Sequence, residues 1–387
     1  MPLFSRRRTG LDALLSRPRP GLWEQFLARP CIFLARKLYT LRRIVPAQPL
    51  VGAVSVICVS DTHNSQPVLP DGDVLIHAGD LTQSGSLREL QEAVDWLRTQ
   101  PHPIKIVVAG NHDLLLDANY DGQRGTGRED AASERNMIDW GDVIYLENAS
   151  TTVTCANGRQ LLIYGSPRSV RHGNWAFQYP RSVDVWTGTI PDDVDVLITH
   201  GPPRAHLDLL QLGCTHLLRE LWRVRPRLHV FGHVHEGAGT EWLQFNELQD
   251  ALERTVLAGG GLWNLLWMVR AFVRSLLRSP AEAKCLLVNA AVVGGLRDNE
   301  RRRPVKALWQ WCSSLVTAQG TVDTPACEVA TEHTMTASTN IEEHGQLKIL
   351  SSFNQYEIFS HHGRLTALPL TRRPIATKGR PLFGWWA

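Results

Sequence analysis

The stretch Val54-Ser55-Val56-Ile57-Cys58-Val59-Ser60-Asp61-Thr62-His63 decides how this chain reads: an apolar, largely β-branched run stops abruptly in a polar cluster that holds a carboxylate and an imidazole. The same pattern recurs four times. Residues 74–76 lead to Gly79-Asp80, Ile104–Val108 to Gly110-Asn111-His112-Asp113, 194–198 to His200-Gly201-Pro202-Pro203, and Leu228–Phe231 to Gly232-His233-Val234-His235. Short apolar runs without alternation suit strands covered on both faces. Between the second and third clusters, Ser86 and Glu89 have the spacing of a capping box, and Leu87, Leu90, Val94 and Leu97 recur at helical intervals. A second helical stretch is predicted at 216–224. Strand, loop, helix, strand is the order of an α/β fold, and open sheets bind ligands outside the carboxyl ends of their strands.

The clusters supply a particular set of atoms. Asp61, His63, Asp80, Asn111, His200, His233 and His235 offer carboxylate oxygens, an amide oxygen and imidazole nitrogens, with no thiolate nearby. That mixture suits manganese, iron or zinc better than calcium, which takes oxygen alone. In Asp61-Thr62-His63 and His233-Val234-His235 the candidate ligands are one residue apart, so an extended chain projects both to one side and a loop can fan them towards different ions. A single Gly-Asp or a single His pair is usually a turn or a core histidine; five clusters in order, each at a strand end, are not. No Walker A sequence, G-x-S-x-G elbow or Rossmann fingerprint competes with them.

D-x-H, G-D, G-N-H-D, H-G-P-P and G-H-x-H in this order resemble the calcineurin-like metallophosphoesterase superfamily. Their surroundings, including Leu75-Ile76-His77-Ala78-Gly79-Asp80 and His229-Val230-Phe231-Gly232-His233-Val234-His235-Glu236-Gly237, resemble the branch of metallophosphoesterase-domain-containing proteins. The resemblance covers 51–237 and resumes at Val288-Asn289-Ala290-Ala291. It implies a layered α/β/β/α sandwich with metal-ligand loops at strand ends, and two divalent ions (Mn, Fe or Zn). Asp61, His63 and His235 would hold one ion and Asn111, His200 and His233 the other, with Asp80 bridging and a metal-bound hydroxide as nucleophile. Asn111 and His112 would face the substrate phosphate, with His112 protonating the leaving oxygen or stabilising charge on the phosphoryl group, and Asp113 orienting His112. Protein phosphatases of this superfamily continue the Gly-Asp motif with Val-Asp-Arg-Gly, whereas Asp80 is followed by Leu81-Thr82-Gln83-Ser84-Gly85. The resemblance therefore implies a phosphodiesterase acting on a small phosphodiester or cyclic nucleotide. A phosphomonoesterase and a non-catalytic scaffold of the same fold are the alternatives.

The chain has 387 residues, 43% apolar and 20% charged, with a formal net charge of +3. It can bury a large core, and it lacks the basic excess of a nucleic-acid binder, so no nucleic acid partner is expected. Residues 1–50 hold nine Arg and one Lys against Asp12 and Glu24, a net of +8, which leaves −5 for the rest. Seven scattered cysteines without a C-x-x-C pair indicate neither a disulfide framework nor a thiolate zinc site. With no apolar run of membrane-spanning length and no signal-peptide core, an intracellular protein is expected, cytoplasmic or peripherally membrane-bound. Mitochondrial targeting by the Arg-rich end is the alternative.

Three divisions are predicted: a basic amphipathic arm at 1–50, a catalytic domain at 51–300 with an insertion at 237–284, and a C-terminal extension at 301–387 that is loose where it is Thr-rich. Within the insertion Arg270, Arg274 and Arg278 fall on one helical stripe beside an apolar face. With the aromatic and basic residues of the arm, segment 262–278 is expected to contact a membrane surface; packing on the protein's own core is the alternative. Among other conspicuous residues, His77 reads as support for the Asp80 loop or a core histidine. His206 and His216 read as surface or helix residues, and Asn174-Trp175-Ala176-Phe177 as a pocket wall or core.

Overall fold

A computed structural model describes residues 21–42, 53–120, 128–209, 211–277, 283–294, 300–309, 329–332, 348–349, 356–361 and 364–369. Most of the arm's arginines, together with Arg278 and most of the Thr-rich stretch, lie outside these residues. The chain divides into two units, Met1–Thr331 and Glu332–Ala387. In the first, β1 (Val54–Val59), β2 (Val74–Ala78), β3 (Ile104–Val108) and β4 (Val143–Tyr145) lie side by side and parallel. A second sheet is built on the antiparallel pair β5 (Ala149–Thr154) and β6 (Gln160–Ser166). Parallel strands β9 (Val196–Thr199), β10 (Leu228–Phe231) and β12 (Lys284–Asn289) extend it. Two short strands, β7 (Ser169–Val170) and β8 (Gln178–Tyr179), pair between β6 and β9 in the sequence.

Period-two alternation explains why the strand sequences are apolar throughout. Val54, Val56 and Cys58 of β1 and Val74, Ile76 and Ala78 of β2 meet Val196, Ile198, Leu228, Val230, Leu286 and Val288 of the second sheet. The intervening residues face the opposite way. Ile57, Leu75 and Val107 pack under Leu90, Val94 and Leu97, which belong to helix Leu87–Arg98. Leu197, Phe231 and Leu287 pack under Leu217 and Leu221, which belong to helix Thr215–Val224. Both helices fall where the periodicity places them, and the first carries its capping box between Ser86 and Glu89. The α/β/β/α sandwich implied by the resemblance is the architecture.

Two of the expected divisions cut through paired strands. Strand β11 (Gly239–Gln244) lies inside the segment read as an insertion, yet it pairs antiparallel with β12. Beyond residue 301, β15 (Val305–Trp309) pairs antiparallel with β1, and β16 (Val329–Glu332) lies next to β15. Both β11 and β15 satisfy backbone groups that an edge strand would leave open. The short pair β13 (Val293–Gly294) and β14 (Glu300–Arg301) leads from β12 to β15. By itself, the second unit contains the antiparallel sheet β17 (Lys348–Ile349), β18 (Tyr356–His361) and β19 (Arg364–Pro369).

The arm and the insertion form one helical layer. In chain order its helices are α1 (Leu22–Ala28) and α2 (Pro30–Leu41), then, after α3 (Leu87–Arg98), α4 (Arg128–Asn136) and α5 (Thr215–Val224), α6 (Glu247–Leu257) and α7 (Leu262–Ser275). Pro30 is the first residue of α2, where its missing N–H costs nothing. Ile32 and Ala35 of α2 pack with Leu248 and Leu252 of α6, Met268 and Ala271 of α7, and Ala205.

His206 lies beside this layer and is 1% exposed, so it is not the surface residue expected. Its Nε2 is 3.1 Å from Glu253 Oε1 and its Nδ1 3.3 Å from Glu241 Oε1. Burial opposes its charge, but the two carboxylates outweigh burial and push its pKa up from 6.5 to about 10. Because the folded value lies above the unfolded one, this contribution to stability is complete below pH 6.5 and is lost as pH rises through about 10. We expect the unfolding free energy from urea titration to fall across that window by on the order of a few kcal/mol. His206→Gln should be less stable at neutral pH and flatten the dependence; equal slopes in the two proteins would refute the assignment.

Candidate metal centre

The loops after β1, β2, β3, β9 and β10 converge at the carboxyl ends of both sheets. Ligand atoms of Asp61, His63, Asp80 and His235 lie within 4.8 Å of one another, as do those of Asp80, His200 and His233. In the first group Asp61 Oδ1 is 3.2 Å from His235 Nε2, and His63 Nε2 is 3.4 Å from His235 Nε2 and 3.8 Å from Asp80 Oδ2. In the second, His200 Nε2 is 3.4 Å from Asp80 Oδ2, 3.2 Å from His233 Nδ1 and 3.0 Å from Asn111 Oδ1. All seven ligand candidates from the sequence are thus brought together, and Asp80 belongs to both groups. Facing imidazole nitrogens among carboxylate oxygens make a poor hydrogen-bond network and a good cation cradle, and the donors fit divalent metals.

Electrostatics agree with that fit. Asp61 is fully buried, which alone would raise its pKa, but the imidazoles of His235 and His200 hold it at about 2. Asp80 is likewise held well below the ordinary carboxylate range, against burial, by His200 and His63. Burial and His200 push His233 down to about 3, and burial also lowers His63. Both are therefore neutral at pH 7, the form that binds metals. His200 is pushed up to about 9 because Asp80 and Asp61 outweigh burial, so a cation bound there would displace its proton.

The loops are held in costly backbone conformations. Asp61, His63, Asp80 and His233 have φ of 54°, 43°, 53° and 66°, a region that non-glycine residues rarely occupy without tertiary support. That support comes from neighbouring loops. The His233 backbone N–H donates to Asp61 Oδ1 at 3.0 Å and Oδ2 at 3.1 Å, and the His112 N–H donates to Asp80 Oδ1 at 2.7 Å. His200 Nδ1 donates to the Ala78 carbonyl at 2.9 Å, which turns Nε2 towards the centre. His77 is buried with Nε2 3.0 Å from Thr62 Oγ1, so it steadies the loop between Asp61 and His63.

His112 stands at the rim. Its ring meets His63 edge-on at 4.7 Å and stacks on Trp175 at 4.3 Å, and its Nδ1 donates to the Gln83 carbonyl at 2.8 Å. This corrects the part expected of Asp113. The Asp113 carboxylate accepts from the backbone N–H groups of Gly110 (2.8 Å), Leu81 (3.2 Å) and Thr82 (3.0 Å) and from Thr82 Oγ1 (2.8 Å). With those bonds Asp113 staples two loops together, and Gln83, not Asp113, orients the imidazole. Burial and the nearby Asp80 push its pKa up to about 6.

Segment 174–177 is tied to the centre, since the Ala176 N–H donates to the Asn111 carbonyl at 3.2 Å. Trp175 walls the site, while Phe177 packs against the core under α3. His172 was missed from the sequence; its ring lies 4.8 Å from that of His233, and its Nδ1 accepts from Gln178 Nε2 at 2.7 Å. It belongs to no recurring cluster, and its only signal is proximity to Trp175. His216, in the first turn of α5, has Nδ1 3.1 Å from Asp184 Oδ2.

Comparison with known proteins agrees with this geometry. Residues 54–237 match the model of the calcineurin-like phosphoesterase family. The chain is similar to a protein of Emericella nidulans named probable rhamnogalacturonate lyase C, 45% identical over 77% of this chain but only 28% of that protein. It is similar to human metallophosphoesterase domain-containing protein 1, 39% identical over 49% of this chain and 62% of that one. A UPF0046 protein of Caenorhabditis elegans is 36% identical over 48% of this chain and 70% of its own length. The chain therefore spans less than two thirds of the first two relatives. With five motifs in order, the layered sandwich and a cluster of Asp and His side chains that fits divalent metals, the chain belongs to the calcineurin-like phosphoesterase family.

Proposed function

We propose that this protein is a metal-dependent phosphoesterase with a dinuclear centre that hydrolyses a small phosphodiester or cyclic nucleotide. The observation that carries the reading is the position of Asp80, whose carboxylate is shared by the two ligand groups. Asp61, His63 and His235 would hold one ion, Asn111, His200 and His233 the other, and Asp80 both. Divalent ions there supply Lewis-acid charge neutralisation at a phosphoryl group and activation of water at neutral pH.

The chain's own residues handle the leaving group. With Nδ1–H committed to the Gln83 carbonyl, His112 has Nε2 left for the substrate. Protonated there, it donates a proton to the departing alkoxide as the P–O bond breaks and a new bond forms to the oxygen of water. Trp175 and His63 hold the ring from two sides, which limits its reorientation. Trp175 and His172 also give the rim an aromatic wall for the second ester substituent, and this favours a diester. Nothing in Leu81-Thr82-Gln83 supplies the arginine that protein phosphatases place there.

The test is to compare bis(p-nitrophenyl) phosphate with p-nitrophenyl phosphate in the presence of manganese, iron or zinc. The diester is expected to be the better substrate, and His112→Ala to lower kcat about 10²-fold with a smaller effect on KM. Preference for the monoester would make the protein a phosphomonoesterase. No turnover of either ester with any of the metals would leave a non-catalytic scaffold.

A further inference from the structure

A helix on a globular protein normally turns its apolar stripe inward and its polar face to water. Helix α7 is apolar on both sides. Its inner side, with Leu265, Met268, Ala271 and Phe272, packs on α2 and α6. Its outer side carries Leu262, Trp263, Leu266, Trp267 and Val273, with Trp263 79% and Trp267 56% exposed. Helix α2, which packs on α7, adds Leu34, 41% exposed. The turn from α6 into α7 runs through Gly259, Gly260 and Gly261, with φ of 71°, 115° and 104°, so α7 leaves the core through backbone that other residues would resist.

The charges in this layer select the partner. Helices α2 and α7 contain Arg36, Lys37, Arg270 and Arg274 and no acidic residue. Arg274 is neutralised by Glu247 at 2.8 Å. Arg270 has no acidic partner among the described residues and lies 4.7 Å over the ring of Trp267. Exposed tryptophans beside unneutralised cations match the boundary between acyl chains and anionic headgroups. A second copy of the chain seated symmetrically on this face would oppose cation with cation. No helix among the described residues is long and apolar enough to cross a membrane, so α7 would lie in the plane of one.

We propose that the outward face of α7, with α2 beside it, docks the protein on an anionic phospholipid surface. The proposal stands independently of the activity assigned above. Flotation of the full-length protein tests it, with phosphatidylcholine vesicles that contain or lack phosphatidylserine. Deleting the arm would remove Ile32 and Ala35 from the core, so point variants are the cleaner probe. The protein is expected to float with the phosphatidylserine vesicles. Both Arg270→Glu and the double variant Trp263→Ser, Trp267→Ser should bind about tenfold less, and raised salt should weaken binding. These side chains face solvent, so the thermal midpoint should not change. Absence of wild-type flotation, or undiminished binding of both variants, would overturn the proposal. A dimer seen by light scattering and lost in the tryptophan variant would assign the face to a second copy instead. A lowered thermal midpoint in that variant would show that the face is covered within the chain and would equally refute lipid docking.

Discussion

Asp80→Asn is expected to purify with less bound metal than the parent protein and to lose at least about 10³-fold in metal-dependent diester hydrolysis. The substitution keeps the shape of the side chain and an oxygen able to accept the His112 backbone N–H, so the loop after β3 keeps its anchor. What it removes is the one carboxylate common to both ligand groups. Metal ions supply several kcal/mol of charge stabilisation in such reactions, and about 1.4 kcal/mol is worth tenfold in rate, which gives the expected size. Metal content by mass spectrometry, circular dichroism and turnover should be measured on one preparation. Full metal content and activity in a folded Asp80→Asn protein would defeat the assignment of Asp80 as the shared ligand. The same substitution should also lower the pKa of His200 in metal-free protein, since Asp80 is the strongest of the groups that raise it.

Gly110→Ala is expected to cost about 10³-fold in activity although it adds one methyl group to a residue that is itself no ligand. A Cβ at Gly110 would fall on the backbone nitrogen and Oδ1 of Asp80 and lie 2.7 Å from Cε1 of His200. Residues from two motifs would have to move, and a displacement of about 1 Å in such a site costs on the order of 10²-fold. Overpacking should also destabilise the fold by about 1–3 kcal/mol. Gly158→Ala is the control: Gly158 has φ of 79°, and a methyl there meets nothing within 4 Å. That variant should lose a little stability from backbone strain and no activity. Equal activity in the two alanine variants would show that the close approach of Gly110 to Asp80 does not matter.

Much of the centre was legible before any fold was known, because its ligands occur in short clusters and each cluster ends a strand. Local chemistry carries that signal: a β-branched run sets the strand, and the polar residues that interrupt it cannot continue into a two-sided core. Helices α3 and α5 were legible for a similar reason, since periodicity and a Ser86–Glu89 box are local properties. The edges of the domain were not. Val305–Trp309 pairs with Val54–Val59 across most of the catalytic domain, and a strand of ordinary composition does not announce so distant a partner.

The amino-acid sequence alone determined the succession of the five cluster-bearing strands, the identity of the seven candidate ligands and the basic, acid-free character of α2 and α7. Tertiary structure decided which of these groups meet. It placed Asp80 between His63 and His200, gave the orientation of His112 to the Gln83 carbonyl instead of Asp113, set Trp175 on the face of that ring, and brought the arm and the insertion into one layer with tryptophans outward. The physical reason is one of range. Strand, helix and cap are specified by neighbours a few residues apart, whereas a shared ligand, a stacked ring or an uncovered face depends on groups far apart in the chain that only the packing of two sheets and their helices brings within a few ångströms.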